Sequence, residues 1–480
     1  MTSLRLSARG LMLALLLSVA PPAEGWAPLS AGTDPPGGKL VWKGDHLFGG
    51  GRVASRLYRI SCPRGELANG INRTLALTLH PEDPDGSLLM IIGGGRAPLA
   101  NSSFGREASL ADIDLGAFLE SGYTLAFLEY RGSITPGADD SFDPPLPRYD
   151  DLIPGYEGHA ACEYGTGDAT DVIAAARFLM KGRAFDVNRE RIFAVGGSHG
   201  GYLVLCLARE FSGIAGIVAA HAPTDLKLSM NWVRNAPGAG HPFFRMQSPA
   251  LAMNFPIEGT TVKRAFSDLI ASLDDRPEAD EDLCLLRDAP KSGRILLLHN
   301  VDDWLVSVGN ARAYFERWRP THPEILYAEF TSSRVAELFP DSAGDLESDR
   351  LLSTHSENLS GSVLEEPVLR MLGLHGGDPE IPADLAGPLR APLHLRLVLS
   401  ARKHPDGDVA GARVRLRGWD GFRPRPALEE RADEQGEVHF DSVLLGYRLV
   451  DVELADGTSW EGRSIYVRAD TDKATTLRLR

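Results

Sequence analysis

The chain has 480 residues, 43% of them hydrophobic and 24% charged, and carries a formal net charge of -15 at pH 7. An acid excess of this size favours solubility and argues against nucleic acid or an anionic membrane surface as a partner, without bearing on fold. The length exceeds one ordinary core and implies two or three domains.

Arg5 and Arg9 precede a short apolar run, Leu11 to Ala20, followed by small residues up to Gly25. This is the pattern of a cleavable signal peptide over residues 1–25. Its ten or so apolar residues fall well short of the ~20 that span a bilayer. The protein is therefore expected to be secreted or periplasmic, with no integral membrane segment after cleavage. Loss of the signal moves the net charge from -15 to -16. Cys206 lies in an apolar run as a small buried hydrophobe, while Cys62, Cys162 and Cys284 leave room for one disulfide. With neither CxxC nor HExxH present, no metal site and no cofactor are expected.

From Thr74 onward, short apolar runs alternate with helical patterns, the signature of βα units around a largely parallel sheet. The predicted strands are Thr74 to His80, Leu88 to Ile92, Thr124 to Leu128, Arg191 to Val195, Ile214 to Ala220, Arg294 to His299 and Ile325 to Phe330. Asp168 to Lys181 reads as a core helix: Val172, Ile173, Ala176, Leu179 and Met180 share one face, Asp168 suits the cap, and Gly182 follows the end. The segment 224–292 breaks the alternation and is expected to form a lid over the site.

A stretch rich in Pro and Gly, Gly373 to Pro392, closes this pattern. Beyond it, Leu393 to Ser400, Ala412 to Leu416, Val438 to Phe440, Tyr447 to Leu454 and Thr475 to Leu479 alternate apolar and polar residues at period two. The expected organisation is a signal at 1–25, an α/β domain at 26–375, an exposed linker at 376–392 and a small all-β sandwich at 393–480. A sandwich of that size is expected to fold alone and to be dispensable for chemistry. The turn from Ala432 to Glu437, followed by Gly446 and Tyr447, resembles carboxypeptidase regulatory-like or transthyretin-like domains.

The chemistry centres on Gly196-Gly197-Ser198-His199-Gly200-Gly201, a GxSxG directly after a predicted strand and before the helical run Tyr202 to Glu210. A hydroxyl attacks poorly unless a sharp turn exposes it and a base removes its proton, and the glycines permit that turn. This is the nucleophile elbow of an α/β-hydrolase fold with a mostly parallel central sheet. The fold's order of nucleophile, acid and histidine directs attention downstream of Ser198. Asp303, in the loop after the strand ending at His299, is the acid, with Asp302 as an alternative. His355, between the last strand and helix, is the base. His322 precedes its strand at the wrong sheet end, and His375 follows the last helical pattern.

Over roughly Arg52 to Leu372 these residues resemble the catalytic domain of the prolyl oligopeptidase family of serine peptidases. Tyr130-Arg131-Gly132-Ser133 resembles its YRGS element, and Tyr164-Gly165 with Asp171-Val172 resembles its WG and DV elements. Gly196 to Tyr202 resembles GGSYGGY, and His299 to Val306 resembles HGxxDxxV, which independently assigns the acid to Asp303. The turn Gly93-Gly94-Gly95 corresponds to the family's HGGP loop without its His and Pro. The resemblance implies an oxyanion hole from the backbone amides of His199 and Gly94.

About 50 residues separate the signal from this core, too few for the propeller that screens substrates in such peptidases. The expected protein is a Ser-His-Asp hydrolase of small esters or accessible peptides, as peptidase or as carboxylesterase. The alternative class is an inactive surface-binding protein in which the sandwich acts.

Overall fold

The computed structural model describes residues 38–48, 51–62, 73–93, 115–130, 143–144, 166–182, 185–225, 229, 284–303, 306–331, 334, 362–399, 408–418, 427–468 and 474–479. The segment expected to be a signal peptide and Cys162 therefore lie outside the described residues, as does most of the expected lid. No helix among the described residues is long and apolar enough to cross a membrane.

Nine strands form one sheet: β1 (Gly38–Phe48), β2 (Gly51–Ser61), β3 (Arg73–Pro81), β4 (Leu88–Ile92), β5 (Thr124–Leu128), β6 (Ile192–Gly197), β7 (Gly216–Ala220), β8 (Ile295–Asn300) and β9 (Ile325–Phe330). Their spatial order is β1-β2-β3-β5-β4-β6-β7-β8-β9. Strands β5, β4, β6, β7, β8 and β9 are mutually parallel, and β1 to β3 are antiparallel additions at one edge. This is the α/β-hydrolase arrangement, and all seven predicted strands are present. Strands β5 to β8 are buried along their whole length, as expected of parallel strands covered on both faces.

Among the described residues, five helices cover the sheet: α1 (Leu115–Glu120), α2 (Thr166–Met180), α3 (His199–Glu210), α4 (Gly309–Trp318) and α5 (Glu365–Met371). Val172, Leu179, Leu203, Leu207 and Tyr314 of α2, α3 and α4 pack on one face. Phe118 of α1 and Val368 of α5 pack on the other. The expected stop at Gly182 holds: its φ is 65°, and its N–H donates to Leu179 O at 3.0 Å. The expected cap does not. Helix α2 begins at Thr166, and Asp168 sits inside its first turn, where its carboxylate pairs with His199.

Residues 376–392 are not wholly an exposed tether. Leu385 is fully buried, Glu329 N–H donates to Leu385 O at 3.0 Å, and Gly387 N–H donates to Tyr327 O at 2.8 Å. This part of the stretch runs along β9, the last strand of the sheet. Of the lid segment, the described end, 284–292, is anchored by Leu285, whose N–H donates to Thr224 O at 2.8 Å and whose carbonyl accepts from Trp318 Nε1 at 3.2 Å.

The C-terminal strands form two sheets around one core. In one, β10 (Arg390–Leu399) lies between β13 (Glu437–Leu444) and β16 (Thr475–Leu479). In the other, the order is β12 (Leu428–Arg431), β11 (Arg413–Gly418), β14 (Gly446–Glu453) and β15 (Ser459–Val467). The turn before β13 is organised by Asp433, whose Oδ1 accepts from Gln435 N at 2.9 Å and Glu437 N at 2.8 Å, with Gly436 at φ 77°. Val301 and Val308, which belong to the α/β part, complete the sandwich core.

Candidate active site

Ser198 stands between β6 and α3 with φ 51° and ψ -125°, a left-handed conformation that side chains rarely adopt. Two backbone bonds hold it there: its N–H donates to Ala220 O at 2.8 Å, and Tyr202 N–H donates to Ser198 O at 3.1 Å, opening the helix. The helix meets the sheet at minimal distance. A Cβ on Gly200 would lie 2.2 Å from Ile92 O and 2.6 Å from Gly93 O, and one on Gly201 would lie 2.9 Å from Ala220 O. Glycine is required here for this approach. The elbow read from GxSxG is therefore present, with the hydroxyl-bearing residue at the C-terminal end of the sheet and the positive end of α3 behind it.

His199 follows at the first position of α3, and its side chain is buried with Nε2 2.9 Å from Asp168 Oδ2. The imidazole links α3 to α2. Gly94 lies outside the described residues. Its neighbour Gly93 is described, and Gly93 O accepts from Tyr130 Oη at 3.2 Å, so the expected YRGS tyrosine holds the start of that loop.

Asp303 is buried beyond the end of β8, and its carboxylate is closely held. Oδ1 accepts from Val306 N at 2.9 Å, while Oδ2 lies 3.1 Å from His221 Nδ1 and 3.4 Å from His299 Nε2. Asp302 is only partly buried; its N–H donates to Asn300 Oδ1 at 2.9 Å, and its charge helps raise the Tyr447 phenol pKa, chiefly raised by burial. Of the two aspartates, Asp303 is the one placed among imidazoles.

His221 was not identified from the sequence. It directly follows β7 with φ 51°, the other non-glycine residue with positive φ among the described residues, and it is buried. Because Ser198 N–H bonds Ala220 O, His221 immediately follows the residue that anchors Ser198. A lone histidine after an apolar run has no spacing signature. The clue available was topological, since the C-terminal ends of adjacent parallel strands converge on one site.

His221, His299 and Asp303 each bring one possible ligand atom within 4.8 Å of the others, and hydrogen bonds already join them. His299 Nε2 lies 2.9 Å from Val306 O, a pure acceptor, and donates to it. Burial lowers the His299 pKa, against an opposing pull from Asp303. His221 Nδ1 lies 3.1 Å from Asp303 Oδ2, the geometry of an Nδ1–H that donates to the carboxylate.

His355 lies outside the described residues. His322 precedes β9 at the opposite end of the sheet and bonds Thr321 Oγ1 at 2.9 Å. His375 is exposed beyond α5, with Nδ1 2.7 Å from Glu366 Oε2. Neither meets Asp303, as expected.

Residues 155–236, which include the elbow, match the Prolyl oligopeptidase family. No curated protein matches the chain in sequence. Among solved structures, the chain is similar to acetyl xylan esterase 1 of a Thermoanaerobacterium species, with 14% identity over 62% of this chain and 81% of that one at a TM-score of 0.36. It is similar to an esterase of Pyrococcus furiosus, with 14% identity over 69% and 97% at a TM-score of 0.38. A puromycin-hydrolyzing peptidase of Mycobacterium tuberculosis shares 18% identity over 58% of this chain and 39% of that one at a TM-score of 0.35. At these values the fold assignment rests on strand order and elbow. The family match agrees with both and identifies a serine hydrolase of ester or peptide bonds.

Proposed function

We propose that this serine hydrolase, built around a segment of the prolyl oligopeptidase family, cleaves its substrates through an acyl-enzyme on Ser198, with Asp303 as the acid and His355 as the base. The observation that carries the reading is the left-handed Ser198 at the β6–α3 turn, on the same sheet end as a buried aspartate held by imidazole. Ser198 Oγ attacks the carbonyl carbon while the base takes its proton. The resulting oxyanion rests on the His199 amide and, following the family pattern, on Gly94. Collapse expels the alcohol or amine, which receives the proton from the imidazolium. Water then repeats the sequence, releasing the acid and restoring Ser198.

The family match supports ester or peptide bonds as the targets. The basic start and short apolar run support export with cleavage near Gly25. A fluorophosphonate should label the mature protein at Ser198, and labelling that persists in Ser198→Ala would remove the assignment. Side-by-side turnover of an aryl ester and an aminoacyl-prolyl amide separates esterase from peptidase.

A second reading places His221 as the base, favoured by its Nδ1 bond to Asp303 at 3.1 Å. The two readings part on one comparison. With His355 as base, His355→Ala lowers kcat by several orders of magnitude, while His221→Gln costs far less, acting through the orientation of Asp303. The reverse result transfers the role to His221.

A further inference from the structure

The outward face of the C-terminal sandwich carries a second histidine cluster, distant in sequence from Ser198. Strands β10 and β13 are antiparallel and place His394 directly opposite His439, with Glu437 one step along the same face. The alternation on both strands is regular. Leu393, Leu395, Val438 and Phe440 point into the core, which turns His394, Glu437 and His439 outward. Packing of the sandwich does not call for these three residues.

We infer that His394, Glu437 and His439 form a binding site for a divalent transition-metal ion of the zinc class. The two imidazoles stack with centroids 3.9 Å apart and planes inclined by 24°. His394 Nε2 lies 3.0 Å from Glu437 Oε2, and one ligand atom from each residue falls within 4.8 Å of the others. Bond lengths of about 2.0–2.2 Å to imidazole nitrogen and carboxylate oxygen separate tetrahedral donors by roughly 3.3–3.6 Å, so the site closes once the two rings turn out of their stack and both ring planes contain the ion. Two imidazoles and one carboxylate suit zinc or its neighbours and not calcium or magnesium, which require oxygen donors. Three protein ligands leave a fourth position open to water or to a group from another molecule.

Such an ion links β10 to β13, the edge strand of its sheet, so bound metal stabilises the sandwich as any ligand of the native state does.

The test uses the untagged full-length mature chain and zinc alone, with binding followed by equilibrium dialysis and elemental analysis. Cobalt substitution gives a second readout, a visible spectrum characteristic of low-coordinate nitrogen and oxygen donors. The expected result is about one zinc per chain, with His394→Ala and His439→Ala each weakening binding at least about tenfold, the scale on which even outer-shell changes act. Glu437→Gln should weaken it less, and calcium should not compete. Because all three side chains face outward, the variants are expected to fold, which circular dichroism verifies; His221→Gln controls for the buried histidines and should leave zinc uptake unchanged. Absence of uptake, or uptake untouched by His394→Ala and His439→Ala in folded protein, would overturn the assignment.

Discussion

Arg312 donates two hydrogen bonds to Glu329, Nε to Oε1 and Nη2 to Oε2, each at 2.6 Å, and both side chains are almost wholly buried. The pair is shared between the two parts of the chain. Arg312 Nη1 also donates to Leu445 O at 2.9 Å, and Glu329 Oε2 accepts from Leu389 N at 2.9 Å and Oε1 from Tyr327 Oη at 2.5 Å. A buried ion pair with its remaining donors and acceptors satisfied is costly to break by halves. Arg312→Leu should therefore destabilise the chain by about 3–5 kcal/mol in urea denaturation. The double change Arg312→Leu with Glu329→Leu should recover part of that loss.

The same interface alters the expectation that the sandwich is dispensable. Val301 and Val308 bracket Asp303 in sequence, and both are buried in the sandwich core. A chain ended after Pro388 loses that cover and the Leu445 carbonyl together. It is expected to unfold at lower temperature and to react more slowly with a fluorophosphonate. Full reactivity in that shortened chain would show that the acid loop holds itself.

Gly200 sits where a methyl group would collide with two carbonyl oxygens, Ile92 O at 2.2 Å and Gly93 O at 2.6 Å. Gly200→Ala should lower stability by about 2 kcal/mol or more and suppress labelling of Ser198, because backbone cannot yield as a side chain can. Gly376, around which a methyl group would meet nothing within 4 Å, provides the control: Gly376→Ala should leave both unchanged.

His80 predicts a dependence on acid. Burial, with a smaller contribution from Arg56, lowers its pKa from 6.5 to about 3. In the unfolded chain the ring binds a proton near pH 6.5; in the folded chain it does not until about pH 3. The unfolded state thus holds more protons throughout that window, so stability falls as pH drops through it, by an amount on the order of 4 kcal/mol at full extent. His80→Gln, which can keep a bond to Thr78 Oγ1, should flatten this decline in denaturation series between pH 7 and pH 4.

Much of the fold was legible because its signals are strong. Parallel strands buried on both faces must be apolar runs of five or six residues, and β4 to β9 were each found by that rule. Ser198 and Asp303, the proposed nucleophile and acid, stood out because each sits at a turn at the end of a strand. The hairpin of β1 and β2 escaped notice because Lys43, Asp45, Arg52, Arg56 and Arg59 interrupt it. Strand β12, Leu-Glu-Glu-Arg, is exposed at every position and has no apolar face to detect. His221 depended on a backbone angle and a tertiary neighbour, neither of which is written in local sequence.

The two edges of the nine-stranded sheet are protected by different means. Strand β1 presents charged residues, Lys39, Lys43 and Asp45, which discourage another strand from docking. Strand β9, Ile-Leu-Tyr-Ala-Glu-Phe, has little such protection, and the backbone at Leu385 and Gly387 occupies its hydrogen-bonding positions instead. Proteolytic cleavage between residues 382 and 388 would uncover a nearly charge-free ladder with its donors and acceptors unmet. The product expected from such nicking is an open-ended polymer, growing by edge-to-edge strand addition.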